Sequence, residues 1–133
     1  MTDICITWPK TRPLESYLIE LDRAIALHRT INYRVSSQPK KVTPGDYCFV
    51  VHDGYVRGYN VITGVNYYND DVISRVPSDP LWPGGWPAGW YVVRAPDWHE
   101  LIDPVARKGF QGYRYVTLEE KSDYLKAYCG ETR

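Results

Sequence analysis

Arg29, Asn32 and Arg34 put three hydrogen-bonding side chains within six residues of one another. An arginine fork binds a phosphate or a base edge through two parallel hydrogen bonds. An asparagine amide both donates and accepts, as recognition of a Watson–Crick edge requires. On a strand, Asn32 and Arg34 share a face because side chains alternate. A purely structural use competes with this one: Arg34 pairs with a surface carboxylate and Asn32 caps a turn. Tryptophans form the second set, with Trp8 alone near the start and Trp82, Trp86 and Trp90 close together. Their rings suit base stacking, worth about 1–3 kcal/mol per base, although core filling is the commoner use of tryptophan. The third set is the run Arg107-Lys108-Gly109-Phe110-Gln111-Gly112-Tyr113-Arg114. It offers Arg107, Lys108 and Arg114 to phosphates, an aromatic ring, and two glycines that let a backbone approach closely. Its alternative is a solvated loop whose Phe110 and Tyr113 tuck into the core.

Other chemistries find less material. His28, His52 and His99 are far apart in the chain, and Cys5, Cys48 and Cys129 form neither a CxxC pair nor a disulfide framework. Gly84-Gly85 lacks the Gly-Lys-Ser/Thr that completes a phosphate-binding loop. The reading therefore calls for no metal and no cofactor. Sixteen basic residues balance sixteen acidic ones, which excludes a uniformly basic nucleic-acid coat but permits a basic cleft. Every apolar stretch is interrupted before it reaches membrane-spanning length, so no membrane partner is expected and a reducing cytoplasm is the default. At 133 residues and 44% apolar composition, one domain with one core is expected.

The elements that must position these side chains follow from periodicity and turn residues. Asp3 to Trp8 alternates as a strand that stops at Pro9. Leu14, Tyr17, Leu18, Leu21 and Ile25 recur at helical spacing, with Pro13 suited to the first turn. Thr30–Val35 reads as a strand ending in a polar turn. Pro44-Gly45-Asp46, the apolar run Tyr47–Val51, Asp53-Gly54 and Tyr55–Ile62 make a hairpin, in which Gly58 marks a bulge or a close backbone approach. Residues 77–87 are a proline- and glycine-rich loop, followed by a strand at Trp90–Arg94. Trp98–Val105 reads as a short helical turn, 107–112 as a loop and Tyr113–Val116 as a late strand. Thr117 and Glu120 form a capping box for a terminal helix through Leu118, Tyr124, Leu125 and Tyr128, closed by Gly130.

Two segments, Leu27-His28-Arg29-Thr30-Ile31-Asn32-Tyr33-Arg34 and Val42-Thr43-Pro44-Gly45-Asp46 with the hairpin that follows, resemble the PUA-like superfamily and its ASCH and EVE branches. In the GxKxxExR signature of ASCH domains, Leu27 stands at the glycine, Arg29 at the lysine and Asn32 at the glutamate, and Arg34 keeps the final arginine. The resemblance implies an α+β fold: a small pseudobarrel of five to six mostly antiparallel strands flanked by two or more helices. It also implies a cleft, between the first helix and adjoining strands, that binds RNA or DNA, a nucleotide or a modified base. Trp8, Arg29, Asn32, Arg34, Trp86 and Trp90 are the ligand-binding candidates, with Arg107, Lys108 and Arg114 for the nucleic-acid backbone. An ASCH-type hydrolase, as a ribonuclease or an acylcytidine amidohydrolase, is the alternative, and an interaction or inhibitor module a further one. Arg29 does not give up its proton near neutral pH and Asn32 is neither base nor nucleophile, so the amidohydrolase chemistry lacks both partners.

Overall fold

The computed structural model describes residues 2–69, 87–126 and 128–132. Its elements are β1 (Asp3–Thr7), α1 (Leu14–Ala26), β2 (Ile31–Val35), β3 (Tyr47–His52), β4 (Tyr55–Tyr68), β5 (Gly89–Arg94), β6 (His99–Ala106), β7 (Tyr113–Val116), α2 (Leu118–Lys126) and β8 (Tyr128–Thr132). The fold is α+β; the described residues place eight strands in one mixed sheet, against the five to six expected.

Strand order along the main path is β2-β5-β4-β3-β1-β7, with β6 added beside β4 and β8 beside β6. Only β1 and β3 run parallel among the described pairs. The sheet is open: among the described residues no ladder joins β2 to β7. The long β4 organises the whole. Its first half pairs with β3 on one side and β6 on the other, and its second half pairs with β5, so β5 and β6 follow one another along the same edge.

Alternation along β1 and β3 produces two cores. Ile4, Ile6, Cys48 and Val50 face α1, joined by Tyr17, Leu21 and Ala24. Cys5, Phe49 and Val51 face the other way, against Val116 and Tyr124 of α2. Strands covered on both faces read as continuous apolar runs, which is why Tyr47–Val51 shows no polar alternation.

Local rules account for much of the rest. Pro13 sits at the N-cap of α1 in extended backbone, one position before the first turn. The helix closes with paired bonds from His28 N to the Ile25 carbonyl (3.1 Å) and from Arg29 N to the Ala24 carbonyl (2.9 Å). His28 takes the left-handed position (φ 54°) that glycine usually fills in this motif. At Gly58 the ladder to β3 shifts by one residue, and a Cβ there would lie 2.6 Å from the His99 carbonyl oxygen and from the Trp98 ring. Both the bulge and the close approach are therefore present.

Three expectations are corrected. Residues expected as a helical turn within Trp98–Val105 form β6, because the free edge of β4 supplies a ladder. Pro104 lies where that ladder is irregular, between the paired residues Glu100 and Val105, the kind of position at which a strand tolerates proline. The terminal helix ends at Lys126, and Tyr128–Thr132 turns back as β8 on β6. Ile25 and Leu118, expected on apolar helix faces, are exposed.

Candidate functional site

A cleft of about 440 Å³ opens between the end of β1, α1 and β2. Trp8, Asn32 and Arg34 all line it. Four consecutive residues of β2, Ile31 to Arg34, contribute to its wall. Because side chains alternate, four in a row means that the cleft meets the strand along its edge, and β2 is the last strand on its side of the sheet.

Trp8 is held from several directions. Its backbone N–H donates to the Val51 carbonyl (2.8 Å) and its indole Nε1–H to the Pro13 carbonyl (3.2 Å). The ring lies 5.1 Å from that of Tyr17, and the Arg12 guanidinium sits 4.4 Å from the indole centroid. His52 Nε2 donates to the Arg12 carbonyl at 2.8 Å and so tethers this rim segment to β3.

Asn32 and Arg34 share a face, as alternation requires, but it is the face of Val93 and Tyr91, their partners on β5. Ile31 and Tyr33 instead face the α1 core with Arg94 and Val92. Arg34 is exposed; its Nε donates to the Ala88 carbonyl (3.1 Å), and the guanidinium lies across Gly89. Asn32 Oδ1 is buried without a partner among the described residues. Arg29 and Trp90 do not line the cleft. Arg29 lies just past α1, its backbone N–H closing the helix on the Ala24 carbonyl, and Trp90 packs on the α1 core and edge-on against Tyr67 at 5.2 Å. Trp86, like Trp82, lies outside the described residues.

The basic run is a separate region. Arg107 Nη1 donates to the Glu120 carboxylate and to the Tyr124 hydroxyl, so this arginine is committed within the fold. Burial opposes ionisation of Glu120, but the Thr117 N–H and Arg107 hold its carboxyl below the ordinary value. Lys108 and Arg114 are exposed. The guanidinium groups of Arg107 and Arg114 lie 5.7 and 5.1 Å from the Phe110 ring centroid.

Two arginines of the cleft escaped the reading of the sequence, Arg12 at its rim and Arg94 at its floor. Arg94, at the end of β5, lines the cleft at only 3% exposure. Its Nη1 donates to the Tyr17 hydroxyl (2.7 Å) and to Asn60 Oδ1 (3.0 Å). Tyr17 in turn donates to Asn60 Oδ1, and Asn60 Nδ2 donates to the Asp97 carbonyl. The Cys48 thiol also touches Arg94, and burial pushes that thiol up to about 11, so it is neutral. Burial likewise raises Tyr17, which stays a phenol. Glu20, also on the cleft, is raised by burial against the opposing pull of Arg12, Arg94 and Arg23. A signal for Arg94 was present: Trp90, Val92 and Arg94 fall on one face of an otherwise apolar strand, so the charge had to enter the core.

Comparison with protein-family models, with curated proteins and with solved structures returns no match for this chain. The site therefore stands on its own geometry. It offers an indole at the mouth, a cationic rim and a buried cation at the floor.

Proposed function

We propose that the chain is a binding domain for a nucleobase or nucleotide, free or carried by RNA or DNA, and that the cleft beside Trp8 is where it binds. One observation carries the reading: an aromatic wall and the arginines Arg12, Arg34 and Arg94 line one cavity of ligand size. Aromatic rings supply stacking area and guanidinium groups supply donors to base edges or phosphates. The resemblance to PUA-like domains supports the same reading. A modified base belongs to this class because the wall is apolar enough to accept an added methyl group. The cleft is read as binding rather than catalytic. Neither Arg29 nor Asn32 can serve as the proton acceptor that the amidohydrolase alternative needs.

Isothermal titration with nucleosides, nucleotides and short oligonucleotides, unmodified and methylated, tests this. Trp8→Leu is expected to weaken binding about tenfold to a hundredfold, the loss of about 1–3 kcal/mol of stacking. Unchanged affinity in a folded Trp8→Leu variant removes the cleft from the function.

A further inference from the structure

We infer that the floor of the cleft is an oxyanion site, at which Arg94 grips the phosphate or carboxylate of a small ligand that enters charged end first. For a nucleotide this rests on the reading above and sharpens it: a terminal phosphate goes inward, and the base stays at the mouth beside Trp8. The anion itself does not depend on that reading.

The first observation is the hydrogen-bonding state of the guanidinium. Both of its hydrogen bonds to Tyr17 and Asn60 leave from Nη1. Among the described residues the Nε–H has no partner, although the side chain is almost wholly buried. Nε and Nη2 form the edge that takes a carboxylate or phosphate side-on, through two parallel bonds. A satisfied structural arginine spends that edge on the protein. In Arg94 the Nε half of that edge has no acceptor among the described residues, and the residue lines the cleft.

Charge is the second observation. A buried cation is costly unless an anion compensates it. Tyr17, Asn60 and Cys48, which hold Arg94, are all neutral, and among the described residues no carboxylate forms an ion pair with it. Among the described residues, the charged side chains lining the cleft are three arginines, Arg12, Arg34 and Arg94, against the one carboxyl of Glu20. Glu20 is itself disfavoured as an anion by burial. The cavity therefore carries an excess of positive charge with apolar and aromatic walls around it, which suits a small organic anion. A base edge with two adjacent acceptors would fill the hydrogen bonds but leave the charge.

The test uses the whole chain and four kinds of probe: inorganic phosphate, acetate, the common nucleosides, and their 5′-monophosphates, each titrated calorimetrically at fixed salt. At least one monophosphate is expected to bind at least about tenfold more tightly than its nucleoside, with phosphate or acetate competing. Competition by phosphate but not acetate assigns the anion as phosphate; the reverse assigns it as carboxylate. In Arg94→Lys, which keeps the charge and loses the fork, that preference is expected to disappear. Should this variant fail to fold, the competition experiment on the wild type decides alone. Nucleosides binding as tightly as monophosphates would overturn the oxyanion site while leaving base binding intact. Phosphate or acetate binding that no base strengthens would keep the oxyanion site and remove the nucleotide reading. Loss of the preference in Arg34→Ala but not in Arg94→Lys would move the anion to the mouth and overturn the assignment to the floor. No binding of any probe overturns both readings.

Discussion

Each core of this protein contains an arginine that donates to a tyrosine hydroxyl, and the two differ in what else they touch. On the α2 side Arg107 Nη1 meets Tyr124 at 2.5 Å and the carboxylate of Glu120, which is itself part of the capping box of α2. On the α1 side Arg94 Nη1 meets Tyr17 at 2.7 Å and the neutral amide of Asn60. The first pair closes its charge within the fold. The second has no carboxylate partner among the described residues, and its Nε–H lacks an acceptor beside a cavity. Two similar local geometries therefore differ in setting: the compensated arginine ties α2 to the sheet, and the uncompensated one lines the cleft proposed above as a binding site. A functional role is argued from what a residue lacks as much as from what it contacts.

The comparison requires that both halves share one frame, and Gly58 is where that frame is tightest. It is paired with β3 and with β6, under the Trp98 ring that belongs to the α1 core. Gly58→Ala puts a methyl group 2.6 Å from a backbone carbonyl and from the indole, so one ladder must shift. A loss of about 3 kcal/mol is expected, at the upper end of overpacking penalties. Urea denaturation followed by near-ultraviolet and far-ultraviolet circular dichroism checks it. If the two signals separate into two transitions, the halves are not one cooperative frame and the comparison breaks.

Removing each tyrosine hydroxyl sharpens the contrast directly. Tyr17→Phe leaves the Arg94 guanidinium with one fewer acceptor in a buried setting and is expected to cost about 1–3 kcal/mol. Tyr124→Phe leaves Arg107 its carboxylate and some contact with water, so a loss of about 0.5–1.5 kcal/mol is expected. The difference, read from denaturation midpoints at constant m-value, measures how unevenly the two cations are compensated. Equal losses would count against Arg94 being the less compensated one.

Which parts of this arrangement the sequence disclosed follows a physical division. α1, the β3–β4 hairpin and the capping box are governed by residues near one another in the chain, and each was legible from spacing and turn chemistry. β6 and β8 owe their existence to a free edge of β4 and to each other, contacts that no local pattern encodes. Pro104 and the polar residues around it point away from a strand unless the irregular ladder is known. The site divides the same way. Trp8, Asn32 and Arg34 were read from residue type and do meet at one cleft. Arg94 was read only as the last residue of a strand, since its unusual state depends on Tyr17 and Asn60, 77 and 34 positions away. Arg107 looked free because its partner Glu120 is brought to it by the fold.

A smaller effect tests the compensated side. Thr117 and Glu120 satisfy one another's backbone N–H groups at 3.1 Å in each direction. Thr117→Ala removes one of these bonds at the start of α2 and is expected to cost about 1 kcal/mol. If the capping box also positions Glu120 for Arg107, Thr117→Ala and Tyr124→Phe combined will cost more than the sum of the two single variants. Strict additivity would instead show that the Arg107 pair holds without the cap.

The smallest expected effect concerns Glu20, the carboxyl that faces the cationic cleft. Burial raises it above its ordinary value of 4.5 in the folded chain, while Arg12, Arg94 and Arg23 oppose that rise. The folded state therefore holds the Glu20 proton more tightly than the unfolded chain does. Its contribution to stability is fully present below pH 4.5 and is lost as pH rises through the higher folded value. Glu20→Gln keeps the side chain's size and cannot titrate. The stability of wild type relative to this variant is thus expected to fall as pH rises from 4.5, and every other titrating group cancels in the difference. Thermal midpoints of both proteins across pH 4 to 8, at constant ionic strength, measure it on the order of a degree or two. The opposite slope would mean that the arginines hold Glu20 as a stabilised anion. In that case the cleft would already contain its counter-charge, and the contrast between Arg94 and Arg107 would narrow.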